Sequence, residues 1–141
     1  MTVRKGFEGQ ALYGTAGTTA STLLENCRDI TYNVENEFGD TTVRGDGSAV
    51  PIQTQSKTLR TMSIEITMLH DDIDTAFQAL QTAAGGSDPV AIRTRSYSSG
   101  KGYDGDCHVA MGNPYPMAGE QLTTFTLTPT RDGGRMPQAW V

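Results

Sequence analysis

The chain has 141 residues, of which 36% are hydrophobic, and a formal net charge of −5 at pH 7. This length predicts a single domain, which buries about two thirds of the unfolded chain's surface on folding. The Lys and Arg residues form no run, which argues against charge-driven binding to nucleic acid or to anionic membranes. The high content of Thr and Gly, 20 and 16 residues, favours half-exposed strands joined by many turns.

The N-terminal segment is rich in Gly and Thr and poor in apolar residues. We predict a flexible arm over 1–22, either partly ordered or docked on a neighbouring subunit, and a single β domain over 23–141. No apolar stretch follows the first basic residues, so we expect no signal peptide and synthesis in the cytoplasm. No run reaches the roughly 20 apolar residues that a membrane span needs.

The first strong strand is predicted over 23–34, where apolar residues alternate up to Val34. The alternation of apolar and polar residues is interrupted near Cys27, which indicates a β-bulge. A polar loop or hairpin tip is predicted over 35–48. Loops of this length in compact domains are often functional, so this segment is a candidate contact region.

The clearest pattern is a strand that leads directly into a helix. Alternate residues of the strand are apolar: Met62, Ile64, Ile66 and Met68. This is the period of a strand with one buried face. Apolar residues then recur at helical spacing from Ile73 to Ala84, which predicts an α-helix over 72–84 with Asp71 as its N-cap.

Three more strands are predicted after the helix, over 90–95, 106–111 and 122–130. The last one carries a ladder of Thr residues and no charge that would block pairing along its edge. Such an edge is either covered or used for association, and we expect another subunit to use it. The predicted fold is mainly β (α+β), with two packed antiparallel sheets forming a β-sandwich or partly open barrel and one flanking helix.

The sequence shows no recognisable catalytic, cofactor or metal site. Asp106 and His108 share one face of a predicted strand, but Cys107 between them points to the other face, so these donors do not converge on a metal. A hairpin tip that leads into a strand with a solvated face explains them better. There is no Gly-x-Ser-x-Gly elbow and no phosphate loop. We therefore predict a structural or binding protein and not an enzyme.

The two cysteines, Cys27 and Cys107, lie in separate predicted strands. They pair only if those strands are neighbours, and two cysteines do not make a disulfide scaffold. Two buried thiols are the favoured interpretation, with the pairing left open.

The order of these parts resembles the tail tube proteins of long-tailed bacteriophages, whose fold is shared with the type VI secretion tube. The resemblance is carried by 56–84, the strand and its helix, and by 119–130, which ends in Thr-Pro-Thr. It implies hexameric rings whose inner sheets join into a barrel around a lumen, with DNA as non-specific cargo. It also implies other phage tail components as partners, assembly in the bacterial cytoplasm and a final place in the virion tail. The negative net charge is compatible with sliding DNA.

We predict that the chain associates with itself through the edge of the last strand and through the long loop. The residues predicted to make these contacts are Asp40, Thr41, Thr42, Arg44 and Asp46 in the loop and Thr124, Thr126 and Thr128 in the strand. No cofactor and no membrane partner are expected. The alternative is a monomeric β-sandwich that binds carbohydrate or peptide in a groove of aromatic residues: Tyr97, Tyr103, Tyr115 and Trp140.

Overall fold

The computed structural model of the protein describes residues 3–45, 47, 49–113 and 117–141. The strands found there are β1 (Gln10–Thr15), β2 (Thr22–Leu23), β3 (Cys27–Asp40), β4 (Gln55–Leu69), β5 (Val90–Arg95), β6 (Asp104–Gly112) and β7 (Leu122–Thr130). One α-helix, α1 (Thr75–Gly85), lies between β4 and β5, and a short 3-10 helix, Gly6–Glu8, precedes β1. The predicted mainly β class with one α-helix is confirmed.

The strands form one antiparallel sheet in the order β2-β1-β5-β6-β7-β4-β3. This arrangement differs from the predicted pair of separate sheets, because hydrogen bonds connect each strand to the next across the whole order. Within the described residues the two edge strands, β2 and β3, do not pair with each other, so the sheet is not closed into a barrel. In this described part of the chain, one side of β3 therefore has no strand hydrogen-bonded to it.

One face of the sheet, here called the inner face, packs with α1 around the core. The buried core side chains include Ala11, Ile64, Ile66, Met68, Phe77, Leu80, Ile92, Cys107, Phe125 and Leu127. The rings of Phe77 and Phe125 pack edge to face with their centroids 5.6 Å apart, and this contact holds the helix on β7. Full burial of a side chain of this size stabilises the fold by about 1.5–3 kcal/mol. The alternation predicted for β4 is confirmed.

The helix begins three residues later than predicted, at Thr75. Its N-cap is Asp74, whose carboxylate accepts a hydrogen bond from the backbone N–H of Phe77. The predicted cap, Asp71, instead accepts from the N–H of Ile73 in the preceding turn. Both aspartates have the chemistry of a cap, and the one next to the buried side chains of the first turn takes that role.

The N-terminal segment, expected to be an arm over 1–22, contributes a strand to the sheet. β1 pairs with β5 from Gln10–Arg95 to Thr15–Val90, and Ala11 is buried. Backbone pairing therefore orders a segment that has few apolar side chains of its own. No helix within the described residues is long and apolar enough to cross a bilayer.

β3 and β4 form a long hairpin, of which only one half packs on the rest of the sheet. The two strands pair from Cys27 to Asp40, with the predicted bulge confirmed between Cys27 and Asp29. β7 pairs with β4 only over 64–69. Residues 35–40, expected to be loop, continue β3, so the hairpin extends well beyond the core.

Candidate assembly surfaces

The outer part of this hairpin, residues 35–61, is here called the distal hairpin. Five of its large apolar side chains are exposed: Phe38, Val43, Val50, Ile52 and Leu59. From Gln55 to Thr61 every residue of β4 is exposed, so neither face of the ladder is covered. An isolated two-stranded ribbon is marginally stable in water, and exposed apolar patches are typical of interaction surfaces. The distal hairpin is therefore a candidate surface for contact with a partner.

Three of the predicted contact residues of the loop, Asp40, Thr41 and Thr42, form hydrogen bonds at the tip end of the distal hairpin. The carboxylate of Asp40 accepts a hydrogen bond from the N–H of Thr42 at 2.9 Å, and hydrogen bonding by Thr42 lowers the pKa of Asp40. Thr41 bonds to Thr54 both through its backbone N–H and through its hydroxyl group, at 3.0 and 2.7 Å. Arg44 is exposed, whereas Asp46 lies outside the described residues.

The predicted contact strand, β7, has no free edge. It pairs with β4 on one side and with β6 on the other. The expectation that another subunit pairs with this strand is wrong, because the chain covers both sides itself. Thr124, Thr126 and Thr128 lie on the face opposite the buried Phe125 and Leu127, so their side chains point away from the core.

These threonines belong to a polar surface, the outer face, that spans four neighbouring strands. Its residues, on strand positions that alternate with inner-face positions, are Asp29, Thr31, Asn33, Glu35, Thr61, Ser63, Glu65, Thr67, His108, Ala110, Thr124, Thr126 and Thr128. All of them are exposed or half-buried. The set includes three acids and no Lys or Arg, so this part of the surface does not attract phosphate groups.

Two strand sides at the margins of this four-stranded region have no partner in the described residues. One is the side of β3 that faces away from β4. The other belongs to residues 108–112 of β6, because β5 pairs with β6 only over 104–107. Unpaired N–H and C=O groups along such sides are able to pair with strands of other chains.

A buried charge cluster joins distant parts of the chain at the start of β6. The fully buried carboxylate of Asp106 accepts hydrogen bonds from the N–H of Gly17, at 3.0 and 3.1 Å, and from Nε of Arg135, at 3.1 Å. Nη1 of Arg135 also donates to Asp104 at 3.0 Å. Asp106 was expected on a solvated strand face. It is buried because an arginine 29 residues along the chain covers it.

The donors considered for a metal site serve other contacts. Cys27 and Cys107 are free thiols, and burial raises the pKa of each to about 12. His108 Nε2 lies 2.6 Å from a carboxylate oxygen of Asp132. Within the described part of the chain, no group of three or more His, Cys, Asp or Glu residues is arranged to hold a metal ion.

The aromatic groove of the alternative interpretation is not formed as predicted. Tyr103 is fully buried, and its hydroxyl group donates to the carbonyl of Asp106. The ring of Trp140 packs edge-on against the ring of Tyr32, with the two ring centroids 5.3 Å apart. The ring of Tyr97 is covered by the guanidinium of Arg4, and Tyr115 lies outside the described residues.

No protein-family model and no curated protein matches the sequence. Solved structures do match the fold. A chain from the tail of an empty gene transfer agent (GTA) particle, determined with C6 symmetry, aligns with a TM-score of 0.76 at 12% identity over 97% of this chain and 98% of that chain. A chain from the virion of a native GTA particle aligns with a TM-score of 0.71 at 10% identity over 99% of both chains.

The third match is a chain of the SPP1 tail tube, with a TM-score of 0.67 and 11% identity over 97% of this chain and 80% of that chain. The chain therefore has the fold of proteins found in tail assemblies. The resemblance to tail tube proteins, predicted from the order of strands and helix, is confirmed at the level of the fold.

Proposed function

We propose that this protein is a non-enzymatic structural subunit that associates with itself to build a phage-type tail tube. The observation that carries the proposal is the distal hairpin, which projects from the core with both faces exposed. The match with GTA and SPP1 tail chains over nearly the full length supports the same function. The expected location is a virion or virion-like tail, after assembly in a bacterial cytoplasm with other tail components.

The two halves of β4 differ in how far their apolar side chains are buried. In β4, Ile64, Ile66 and Met68 are buried by the chain itself, whereas Leu59 is 55% exposed. Burial of a large apolar side chain contributes about 1.5–3 kcal/mol. A neighbouring copy that covers Phe38 and Leu59 gains this free energy and orders the hairpin at the same time.

The ring is proposed to close through the two free strand sides. The free side of β3 in one copy pairs with residues 108–112 of β6 in the next, which joins the four-stranded regions into one barrel. The C6 symmetry of the GTA tail supports six copies. In this arrangement the outer face, including Thr124, Thr126 and Thr128, lines the lumen. Its acids repel DNA phosphates, so DNA passes without being held.

The test is the mass of the purified protein by light scattering across concentration, with negative-stain images of the same samples. We expect rings or stacked tubes with a mass near six copies. Deletion of residues 40–47 should leave a folded monomer that no longer assembles, because it removes the tip that reaches a neighbour. A wild-type chain that stays monomeric at millimolar concentration would overturn the proposal.

A variant with two substitutions tests whether the exposed apolar side chains of the hairpin contribute to assembly. Phe38→Ser with Leu59→Ser should raise the concentration needed for assembly at least tenfold, since each lost apolar contact is worth more than about 1.4 kcal/mol. Met136→Ser is the matched control, because Met136 is an exposed apolar residue outside the hairpin. Equal effects in both variants would contradict a specific role of the hairpin.

A further inference from the structure

A cleft of about 1100 Å³ opens beside the first residues of β3. Five of the chain's 11 Lys and Arg residues line it: Arg4, Lys5, Arg28, Arg95 and Lys101. Among its described lining residues, Asp29 is the one acid. In a chain with a net charge of −5, this basic cleft is a local concentration of positive charge that favours an acidic occupant.

The basic cleft also presents apolar rings to solvent. Phe7 and Trp140 line it and are 84% and 63% exposed. The edge-on contact with Tyr32 holds the ring of Trp140 in place. Lys5 Nζ lies 5.8 Å from the ring centre of Phe7. The combination of exposed rings and surrounding cations suits an occupant with an apolar side chain flanked by carboxylates.

The chain itself carries a segment with this chemistry. The acidic knob, residues 71–74, is Asp-Asp-Ile-Asp, and its Ile73 side chain is 87% exposed. The knob has a defined shape, because Asp71 accepts from the N–H of Ile73 at 3.0 Å and Asp74 caps α1. No Lys or Arg occurs anywhere in 61–92. A pre-formed turn of this kind pays little ordering entropy when it binds.

We propose that the acidic knob of one copy docks in the basic cleft of another copy. Ile73 enters beside Phe7 and Trp140, and the carboxylates of the knob face the cations around them. The inference rests on the proposed self-association and adds a contact that is separate from the distal hairpin. Because knob and cleft are different surfaces, the contact is heterologous and continues from copy to copy.

Charge selects the knob over the distal hairpin as the occupant. The distal hairpin has acids at Glu35, Glu37, Asp40 and Asp46, but it also carries Arg44, Lys57 and Arg60. Its own cations would be placed against those of the basic cleft. The knob has three acids in four residues and no Lys or Arg, so it is attracted by the five cations of the basic cleft and opposed by the single acid Asp29.

Crosslinking between single-cysteine variants tests the contact directly. Chains with Ile73→Cys are mixed with chains with Phe7→Cys, and a short bismaleimide is added at a concentration where the wild type assembles. We expect a covalent dimer in the mixture and none from either variant alone. All chains also carry Cys27→Ser, because Cys27 is half-buried and lines the basic cleft. Cys107 is fully buried, so the reagent does not reach it. A mixture of Met117→Cys and Phe7→Cys chains is the matched control, since Met117 is exposed outside the knob.

A charge variant gives the second measurement. Asp72→Lys should raise the concentration needed for assembly at least about tenfold, because it places a like charge in the basic cleft. Asp88→Lys, at an exposed acid outside the knob, should change it less than about twofold.

The outcomes separate this contact from the proposed function. Assembly of the wild type without a crosslink, or with a crosslink equal to that of the Met117 control, overturns the knob contact and leaves the tail tube function in place. Equal effects of Asp72→Lys and Asp88→Lys also overturn the knob contact. A wild-type chain that never assembles overturns the proposed function and this contact with it.

Discussion

The two halves of the β3–β4 hairpin share one hydrogen-bonded ladder but differ in what supports them. In the proximal half, 27–34 with 62–69, the inner-face side chains pack on the core and β7 pairs with β4. In the distal half the ladder continues, but the side chains of Phe38 and Leu59 remain exposed. Backbone pairing is therefore the same in both halves and does not show which half the monomer stabilises by itself. Side-chain burial distinguishes them, and it changes from buried to exposed within two continuous strands.

The largest expected effect is on the free energy of unfolding in the proximal half. Ile66→Ala should lower it by about 2–5 kcal/mol, because Ile66 is fully buried and the truncation leaves a cavity. Urea denaturation of the monomer measures the change. Leu59→Ala, in the same strand, is the control and should change the free energy of unfolding by less than about 0.5 kcal/mol. Similar losses in the two variants would show that the distal half is packed in the monomer as well as the proximal half is.

A smaller effect is expected where the proximal half ends. The hydroxyl group of buried Thr123 donates to Asn113 Oδ1 at 2.9 Å and lies 2.8 Å from His70 Nδ1. Thr123→Val should lower the free energy of unfolding by about 1–3 kcal/mol, because it leaves polar groups without this partner. Thr124→Val, one position along on the outer face, is the control and should be nearly neutral. A neutral Thr123→Val would show that packing alone secures this end of the hairpin.

The smallest effect concerns an exposed pair beside the outer face. The hydrogen bond from His108, with a further one from Thr130, lowers the pKa of Asp132. The contact therefore stabilises the fold at pH values above the ordinary Asp range, and the stabilisation is lost as pH falls through the lowered pKa. His108→Ala should raise the pKa of Asp132 towards its ordinary value, as followed by NMR of the carboxyl carbon. An unchanged titration would mean that the pair is not formed in solution.

The sequence predicted the elements whose side chains are sorted by burial. The strand from Met62 to Met68 and the helix that follows are correct, because apolar residues mark the inner face of one and the buried stripe of the other. Residues 35–40 were expected to be loop because they carry no buried face, although they continue β3. A strand that lies beyond the core has no apolar period from which to recognise it.

Features that depend on contacts between distant parts of the chain could not be predicted from local sequence patterns. The Thr ladder of β7 predicted a strand but not its position between β4 and β6, since edge and central strands differ in partners and not in alternation. The burial of Asp106 depends on Gly17 and Arg135, which are 89 and 29 residues away. An acid on the polar face of a predicted strand gives no local sign that a distant guanidinium will cover it.

The bond between Gly17 and Asp106 also provides a built-in reporter of dynamics. Gly17 lies in an exposed turn, where amide hydrogens ordinarily exchange with solvent quickly. Its N–H is instead held by a carboxylate with no exposed surface. This hydrogen exchanges only when its bond to the carboxylate opens, so its exchange rate measures how often the turn at Gly17 separates from β6.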